Sequence, residues 1–336
     1  MSIIVTGGAG FIGSNFILDW FSETKEKIII IDSLTYSGNL KNFRLENDNN
    51  LIFIKSDICD KDLMTKILRE YNPRAIVNFA AETHVDRSID NAEDFIKTNI
   101  FGVFSLLKAV MEYWLDLTKE KKKSFRFVHV STDEVYGELN SKEKPFDEKN
   151  PYRPNNPYSA SKASSDHLVR SWNKTYGLPT LISNCSNNYG PYQYPEKLIP
   201  MSISNALNNK KIPIYGDGLQ IRDWLYVKDH CNAIKTILSK GEPGETYNIG
   251  GSNEKSNIDV VNSICNILDE NRPLKENKSY ADLIAFTKDR PGHDKRYALN
   301  VSKIYDELGW KANKNFQSGL HETVVWYLEN PNWLKK

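Results

Sequence analysis

Tyr158 and Lys162 lie four residues apart, and Ser131-Thr132-Asp133-Glu134-Val135-Tyr136-Gly137 lies shortly before them. A tyrosine has an ordinary pKa of ~10 and is a poor base at neutral pH. A lysine one helical turn away shares its face and can lower that value electrostatically. Tyr158 is therefore a candidate general base and Lys162 its tuner, also suited to holding a ribose. Thr132 follows an apolar run, where its hydroxyl can bridge a substrate hydroxyl and Tyr158. Asp133 and Glu134 add a second acid/base pair. Paired carboxylates at a protected site tend to separate in pKa, giving one acid and one base. A simple dehydrogenase would not need them. The combination points to redox chemistry on a sugar with an elimination inside the cycle.

A second pattern supplies the redox partner. Thr6-Gly7-Gly8-Ala9-Gly10-Phe11-Ile12-Gly13 sits between an expected strand and an expected helix. There Gly7 permits a tight turn, Gly10 lets the backbone approach a pyrophosphate, and Gly13 allows close helix–strand packing. The helix N-terminus offers donors and partial positive charge to phosphate. Asp32, nineteen residues past Gly13, ends the second expected strand. A carboxylate there accepts hydrogen bonds from an unmodified ribose and repels a phosphate on it. NAD is expected rather than NADP. Asp57-Ile58 and Phe79-Ala80-Ala81 follow the third and fourth strands, where small residues let a cofactor lie close.

These groups need a scaffold, and the pattern along the chain supplies one. Ile3 to Thr6, Ile28 to Asp32, Leu51 to Lys55, Ala75 to Phe79 and Phe125 to Ser131 read as strands. Helical patterns alternate with them, at Gly13 to Phe21, Lys61 to Tyr71, about Ala92 to Leu117, and Tyr158 to Tyr176. That alternation predicts an α/β fold, a Rossmann-type doubly wound parallel sheet, with strands apolar throughout because helices cover both faces. Thr180 to Cys185 and Thr246 to Ile249 extend the sheet. Residues 1–186 are expected to form the nucleotide domain, with 223–250 returning to it. Residues 187–336 mainly form a smaller mixed α/β lobe for substrate.

Composition narrows the function classes. The 336 residues carry a net charge of +1, so no global attraction to nucleic acid or membrane is expected. No apolar run approaches the ~20 residues of a membrane span. Cys59, Cys185, Cys231 and Cys265 form no CxxC pair, and no His/Cys spacing suggests zinc. A reduced, cytoplasmic protein is expected, since a first strand starting at Ile3 leaves no room for a signal peptide. The stretch around Ile96, Ile100, Val103, Leu107, Val110 and Trp114 adds Phe101, Phe104 and Met111 on other faces. That is wider than covering a sheet requires. A homodimer interface is expected there, the alternative being burial under the second lobe.

With these motifs in view, the sequence resembles the dTDP-glucose 4,6-dehydratases, an extended branch of the short-chain dehydrogenase/reductases. The resemblance runs from Ile4 to Tyr327. It rests on the glycine loop, Asp32-Ser33-Leu34-Thr35-Tyr36, Ala80 to Ser88, Ser131 to Gly137, Asn156 to Lys162, Cys185 to Pro191, Pro195 to Pro200, Gln220 to Trp224 and Asp289 to Asp294. Asp133-Glu134 marks the dehydratases, and Arg290-Pro291-Gly292-His293-Asp294 sharpens the match. Thr83 stands where the family more often has Ser, and Ser37 where Ala is usual.

The resemblance implies oxidation at sugar carbon 4 with Tyr158 removing the hydroxyl proton. Water is then lost across carbons 5 and 6, with Glu134 as base and Asp133 as acid, before hydride returns to carbon 6. The cofactor is regenerated each turnover and is expected to stay bound. It further implies that Ser33, Leu34, Thr35, Thr83, Thr98 and Asn188 lie along the cofactor. Thr83, Thr132, Asn187, Lys197, Leu198, Pro213, Ile214, Tyr215, Arg222, Asn257, Asp289, Arg290 and His293 would hold dTDP-glucose. Arg222 and Arg290 suit a pyrophosphate, since a guanidinium donates two parallel bonds. By chemistry alone the nucleotide segment admits thymidine or uridine. The glycine loop and Tyr/Lys pair would equally serve a sugar-nucleotide epimerase or decarboxylase, which would not need Asp133 and Glu134.

Overall fold

Ile3, Ile4, Val5 and Ile28 to Ile31 are β-branched and wholly buried. Such residues suit a strand covered on both faces, and each buried Ile or Val contributes about 1.5–3 kcal/mol. The computed structural model describes residues 2–43, 49–275 and 278–334. The first half runs β1 (Ser2–Thr6), α1 (Phe11–Thr24), β2 (Lys27–Asp32), β3 (Leu51–Lys55), α2 (Lys61–Tyr71), β4 (Ala75–Asn78), α3 (Val85–Asp90) and α4 (Ala92–Phe95). It continues with α5 (Val103–Leu115), α6 (Lys119–Ser124), β5 (Arg126–Thr132), α7 (Pro157–Tyr176) and β6 (Thr180–Cys185). The second half contains β7 (Asn187–Tyr189), α8 (Leu198–Leu207), β8 (Ile212–Tyr215), β9 (Ile221–Tyr226), α9 (Val227–Lys240) and β10 (Thr246–Ile249). It closes with β11 (Glu254–Ser256), α10 (Asn257–Asn271), β12 (Ile284–Thr287), α11 (Ser302–Leu308) and α12 (Phe316–Glu329).

The main sheet has seven strands in the order β10-β6-β5-β4-β1-β2-β3, each neighbouring pair parallel. The order reverses at β1, between β2 and β4. Ligands in such sheets sit at the carboxyl ends of the strands beside that reversal. One apolar layer, with Phe16, Ile17 and Ile234, covers one face, and another, with Leu107, Val110 and Phe127, covers the other. The second lobe has its own core around Tyr189, Ile203, Ile264 and Tyr327. Two small sheets belong to this half, β11-β9-β7 and β12-β8. The chain returns to the main sheet through α9, which packs on α1, and through β10.

The single long helix expected from Ala92 to Leu117 is broken. Between α4 and α5 the chain makes a π-helical stretch, Ile96–Gly102. The wider turn re-aims side chains relative to a straight helix. Gly102 sits against Ile58, where an added Cβ would meet that side chain at 2.9 Å. Val103, Leu107 and Val110 are buried, whereas Ile96 and Phe101 are 54% and 58% exposed. α5 packs on α2 and α7, so burial beneath the second lobe is not what occupies its other face.

Candidate active site

The strand–loop–helix entry is shaped by contacts that exclude side chains. Gly7 has φ +67°, and a Cβ there would lie 2.5 Å from the Ala80 nitrogen. A Cβ on Gly13 would lie 2.4 Å from the Gly7 carbonyl oxygen. The loop is thereby drawn against the end of β4. Asp32, at the end of β2, is buried, with Oδ2 accepting from the Ala9 amide at 2.9 Å and Oδ1 from the Leu34 amide at 2.8 Å. Burial pushes its carboxyl up, and the two amides pull it back. Leu34 has φ +55°, an uncommon conformation for leucine. It turns the loop so that its amide meets Asp32.

A cleft of about 360 Å³ opens at the carboxyl ends of these strands. Gly7, Gly10, Phe11, Ile12, Gly13, Asp32, Ser33, Thr35, Asp57, Ile58, Phe79, Ala80, Ala81, Thr83, Thr98 and Asn188 line it, together with Tyr158 and Lys162. Of the residues expected along the cofactor, Leu34 alone is not on its wall. Its side chain packs against the hydrophobic core. The residues fit a dinucleotide: glycines let the loop close tightly on itself and on the end of β4 along the cleft, and a carboxylate ends β2 on its wall.

The catalytic groups enter the same cleft. β5 delivers Thr132, whose hydroxyl oxygen caps the following 3-10 turn by accepting from the Glu134 amide at 3.3 Å. That turn, Asp133–Tyr136, carries both carboxylates. Burial raises Asp133 well above the carboxylate range, and the neighbouring Glu134 adds to it. Burial also raises Glu134, but Arg290, Arg222 and Lys197 counter it. Both carboxyls are pushed up by burial; Arg222 opposes the shift at each, with Thr132 also opposing at Asp133 and Arg290 and Lys197 at Glu134. Among the described residues, Asp133 Oδ2 and Glu134 Oε2 are buried with no hydrogen-bond partner. Buried polar atoms are normally paired, so these two are available to a substrate.

α7 starts at Pro157 behind a capping box, in which Asn156 and Ser159 satisfy each other's amides. Tyr158 is thus set in the first turn, its ring edge-on to Phe95. Burial, then the Glu134 and Cys185 charges, push its phenol well above 10, with Thr132 as a hydrogen-bond partner pulling down. The Lys162 ammonium donates to the Val130 carbonyl at 2.9 Å, on β5, and lies 3.4 Å from His129 Nε2. Behind Lys162, Asn78 Nδ2 faces His129 Nδ1 at 3.0 Å, and His129 Nε2 faces Ser165 at 3.1 Å. Ser131 donates to Asp166 at 2.9 Å.

The substrate candidates form two groups. Thr83, Thr132, Asn187 and Lys197 line the cleft, with Lys197 donating to the Thr83 carbonyl at 2.9 Å. Outside its wall, Tyr215 donates to Asp86 at 3.0 Å, and Arg290 reaches the other Asp86 oxygen at 3.2 Å. His293 Nδ1 and Asp289 are 2.6 Å apart, and the His293 ring lies edge-on to Tyr215. Arg290 Nε is buried without a partner among the described residues. Arg222 is largely committed, donating to the carbonyls of Ile221 and Asp294, each at 2.8 Å, with its guanidinium over Tyr297. Asn257 heads α10 and donates its amide to Gln220. Pro213 is half-buried on β8. Ile214 is buried in the second lobe's core, and Leu198, half-buried, packs against that core.

Several residues escaped the reading from sequence. Asn99 exchanges two hydrogen bonds with the Glu82 backbone and donates to Ser161 at 2.8 Å, tying the 80–83 loop to the catalytic helix. A polar residue inside an apolar helical pattern was the signal. Ser37, Gly38, Glu82, Gln193, Tyr194 and Glu196 also line the cleft, from loops without periodicity.

Comparison with known proteins places this geometry. A model of the family described as GDP-mannose 4,6 dehydratase matches residues 4–323. A dTDP-glucose 4,6-dehydratase of Xanthomonas campestris pv. campestris (strain B100) is 54% identical over 333 residues, covering 99% of this chain and 94% of that protein. The dTDP-glucose 4,6-dehydratase of Bacillus anthracis str. Ames, solved in complex with NAD, superposes with a TM-score of 0.87 at 46% identity over all of both chains. That of Streptomyces venezuelae, solved with NAD and TYD bound, gives a TM-score of 0.90 at 41% identity, covering 100% of this chain and 99% of that one. Likeness of this extent spans nearly the whole of the chain, both lobes included, and the chain belongs to the dTDP-glucose 4,6-dehydratase family.

Proposed function

We propose that this protein is an NAD-dependent hydro-lyase that converts dTDP-glucose to dTDP-4-keto-6-deoxyglucose, for deoxysugar biosynthesis of the rhamnose type. The observation that carries this reading is the pair Asp133 and Glu134, each with a buried unpartnered oxygen, in one cleft with Tyr158 and Asp32. When bound, NAD supplies reversible hydride storage, oxidising the sugar at carbon 4 and later reducing it at carbon 6. Asp32 selects NAD over NADP, because a ribose phosphate would meet its carboxylate.

The chain's own groups handle the protons. Tyr158 accepts the proton of the carbon 4 hydroxyl, with Thr132 beside both. The phenol sits high because it is buried near Glu134; a substrate hydroxyl and a bound pyridinium charge are the partners that would bring it down. Lys162, fixed by Val130, presents its charge to the ribose. Glu134, with Arg290, Arg222 and Lys197 nearby, takes the proton at carbon 5 and returns one there when carbon 6 is reduced. Asp133, protonated, donates to the departing hydroxyl at carbon 6. Lys197, Arg222, Arg290 and the segment Asp289 to His293 surround the nucleotide diphosphate. The test is the fate of deuterium placed at carbon 4. It is expected in the methyl group of a product lighter by one water. An epimer with no water lost would instead support the epimerase reading.

Two further features belong to this reading. The chain forms a homodimer through Ile96 and the rings of Phe101, Phe104, Trp172 and Tyr176, which meet in sequence tilted or edge-on across the π-helical stretch, α5 and α7. Exposed aromatic patches of this kind mark protein interfaces. The protein works in the cytoplasm, where its four free cysteines stay reduced. No helix among the described residues is long and apolar enough to cross a membrane. Residues 1–186, with 223–250, serve the nucleotide, and the remainder mainly serves the sugar nucleotide.

A further inference from the structure

The loop between β7 and α8 crosses from the second lobe to the mouth of the cofactor cleft. It is anchored from behind. The Gln193 carbonyl accepts from the Tyr327 hydroxyl at 2.8 Å and from the Trp333 indole at 3.2 Å. Its side-chain amide donates to the Asn188 carbonyl at 3.0 Å. Tyr192, beside it, has φ +70°, a strained conformation that such anchoring can hold.

In front, the same loop is fastened to the nucleotide domain. Tyr36 follows β2, between two residues that line the cleft. Its hydroxyl donates to Glu196 Oε1 at 2.9 Å. Arg87, on α3, donates to Glu196 Oε2 at 3.3 Å. The Arg87 guanidinium lies 3.6 Å over the Tyr36 ring, and Tyr194 meets that ring edge-on. The Glu196 side chain is only 9% exposed. Three chain segments from two lobes therefore converge on one sheltered carboxylate. Charge-assisted hydrogen bonds and a stacked guanidinium at such a place are stronger than an exposed ion pair.

We propose that Tyr36, Arg87 and Glu196 form a clasp that retains the dinucleotide in its cleft from one turnover to the next. The proposal rests on the reading above, in which the cofactor ends each cycle as it began and has no need to leave. The sugar nucleotide must come and go, and part of its candidate set, Tyr215, Asp289, Arg290 and His293, lies outside the cleft wall, while Thr83, Thr132, Asn187 and Lys197 line it. A clasp on Glu196 closes over the cofactor end of the cleft, between Tyr36 and Arg87. These three are positioning residues; none need touch a reacting atom.

The experiment follows exchange of bound NAD for radiolabelled NAD in purified holoenzyme. Glu196→Gln keeps the size of the side chain and removes its charge. Tyr36→Phe keeps the ring and removes the hydroxyl. Each is expected to speed exchange about tenfold or more, and the double variant to be little faster than the faster single, because both break one link. Arg87→Met serves if either variant folds poorly, with the same expectation. Exchange at the wild-type rate in variants that hold NAD overturns the clasp, even if thermal stability falls. Fully additive effects of Tyr36→Phe and Glu196→Gln also overturn it. A wild-type protein that carries and binds no NAD overturns the functional reading itself, which distinguishes that failure from failure of the clasp.

Discussion

Ser131 donates its hydroxyl to Oδ2 of Asp166 at 2.9 Å, linking the last residues of β5 to the buried side of α7. Asp166 lies one turn beyond Lys162, and burial raises its carboxyl from the ordinary 3.8 to about 7, with Lys162 opposing. Between those values the native state holds a proton that the unfolded chain gives up. Its contribution to stability is therefore full below pH about 4 and is lost as pH rises to about 7, by up to about 1.4 kcal/mol per pH unit. Asp166→Asn removes that dependence. Urea unfolding across this range is expected to show the variant gaining on wild type as pH rises. A constant difference between the two would refute the assignment.

Tyr158→Phe removes the proton acceptor of the first step while keeping the ring against Phe95. Reduction of bound NAD in a single turnover, followed by NADH absorbance, is expected to slow by about 10²–10⁴. Wild-type NADH formation in this variant would rule out Tyr158 as the base.

Glu134→Gln leaves that first oxidation possible, because its role begins at carbon 5. NADH is expected to accumulate with no product. Deuterium from heavy water is not expected to enter carbon 5 of recovered sugar. Normal incorporation there would contradict the role.

Gly7→Ala and Gly177→Ala both place a side chain at positive φ, but only one has neighbours. At Gly177 nothing lies within 4 Å of the added Cβ, so the cost is about 1–2 kcal/mol of backbone strain. At Gly7 the Cβ meets backbone atoms of Phe79 and Ala80, which adds overpacking and brings the cost to about 2–5 kcal/mol. Denaturant unfolding should rank them so, and NAD should be lost from Gly7→Ala alone. Equal stability of the two would refute the close approach.

Phe101→Glu places a charge in the exposed aromatic band. Sedimentation is expected to show a dimer for wild type and a monomer for the variant, with helical content unchanged. A monomeric wild-type protein at micromolar concentration would remove the proposed interface.

Much of the scaffold was legible because its signals are local. The β1–loop–α1 unit is written in adjacent residues, and Tyr158 to Lys162 is one turn of one helix. The parallel sheet follows from apolar strands alternating with helices. Other features depend on residues far apart in the chain. Lys162 donates to a carbonyl of β5. Arg222 spends two donors on carbonyls, one from Asp294. The π-helical stretch that aims Asn99 at Ser161 interrupts what reads as one periodic helix. Tyr36 and Glu196 meet across 160 positions of sequence.

The amino-acid order alone determined which chemical groups this protein has and which short units carry them. Spacing within a strand, a tight loop or a helical turn is set by backbone geometry, which each segment satisfies on its own. Only the tertiary structure decided the surroundings of the carboxylates and the partners of the buried cations. Desolvation and long-range charge exist only once β5, α7 and the second lobe have closed around the same cleft.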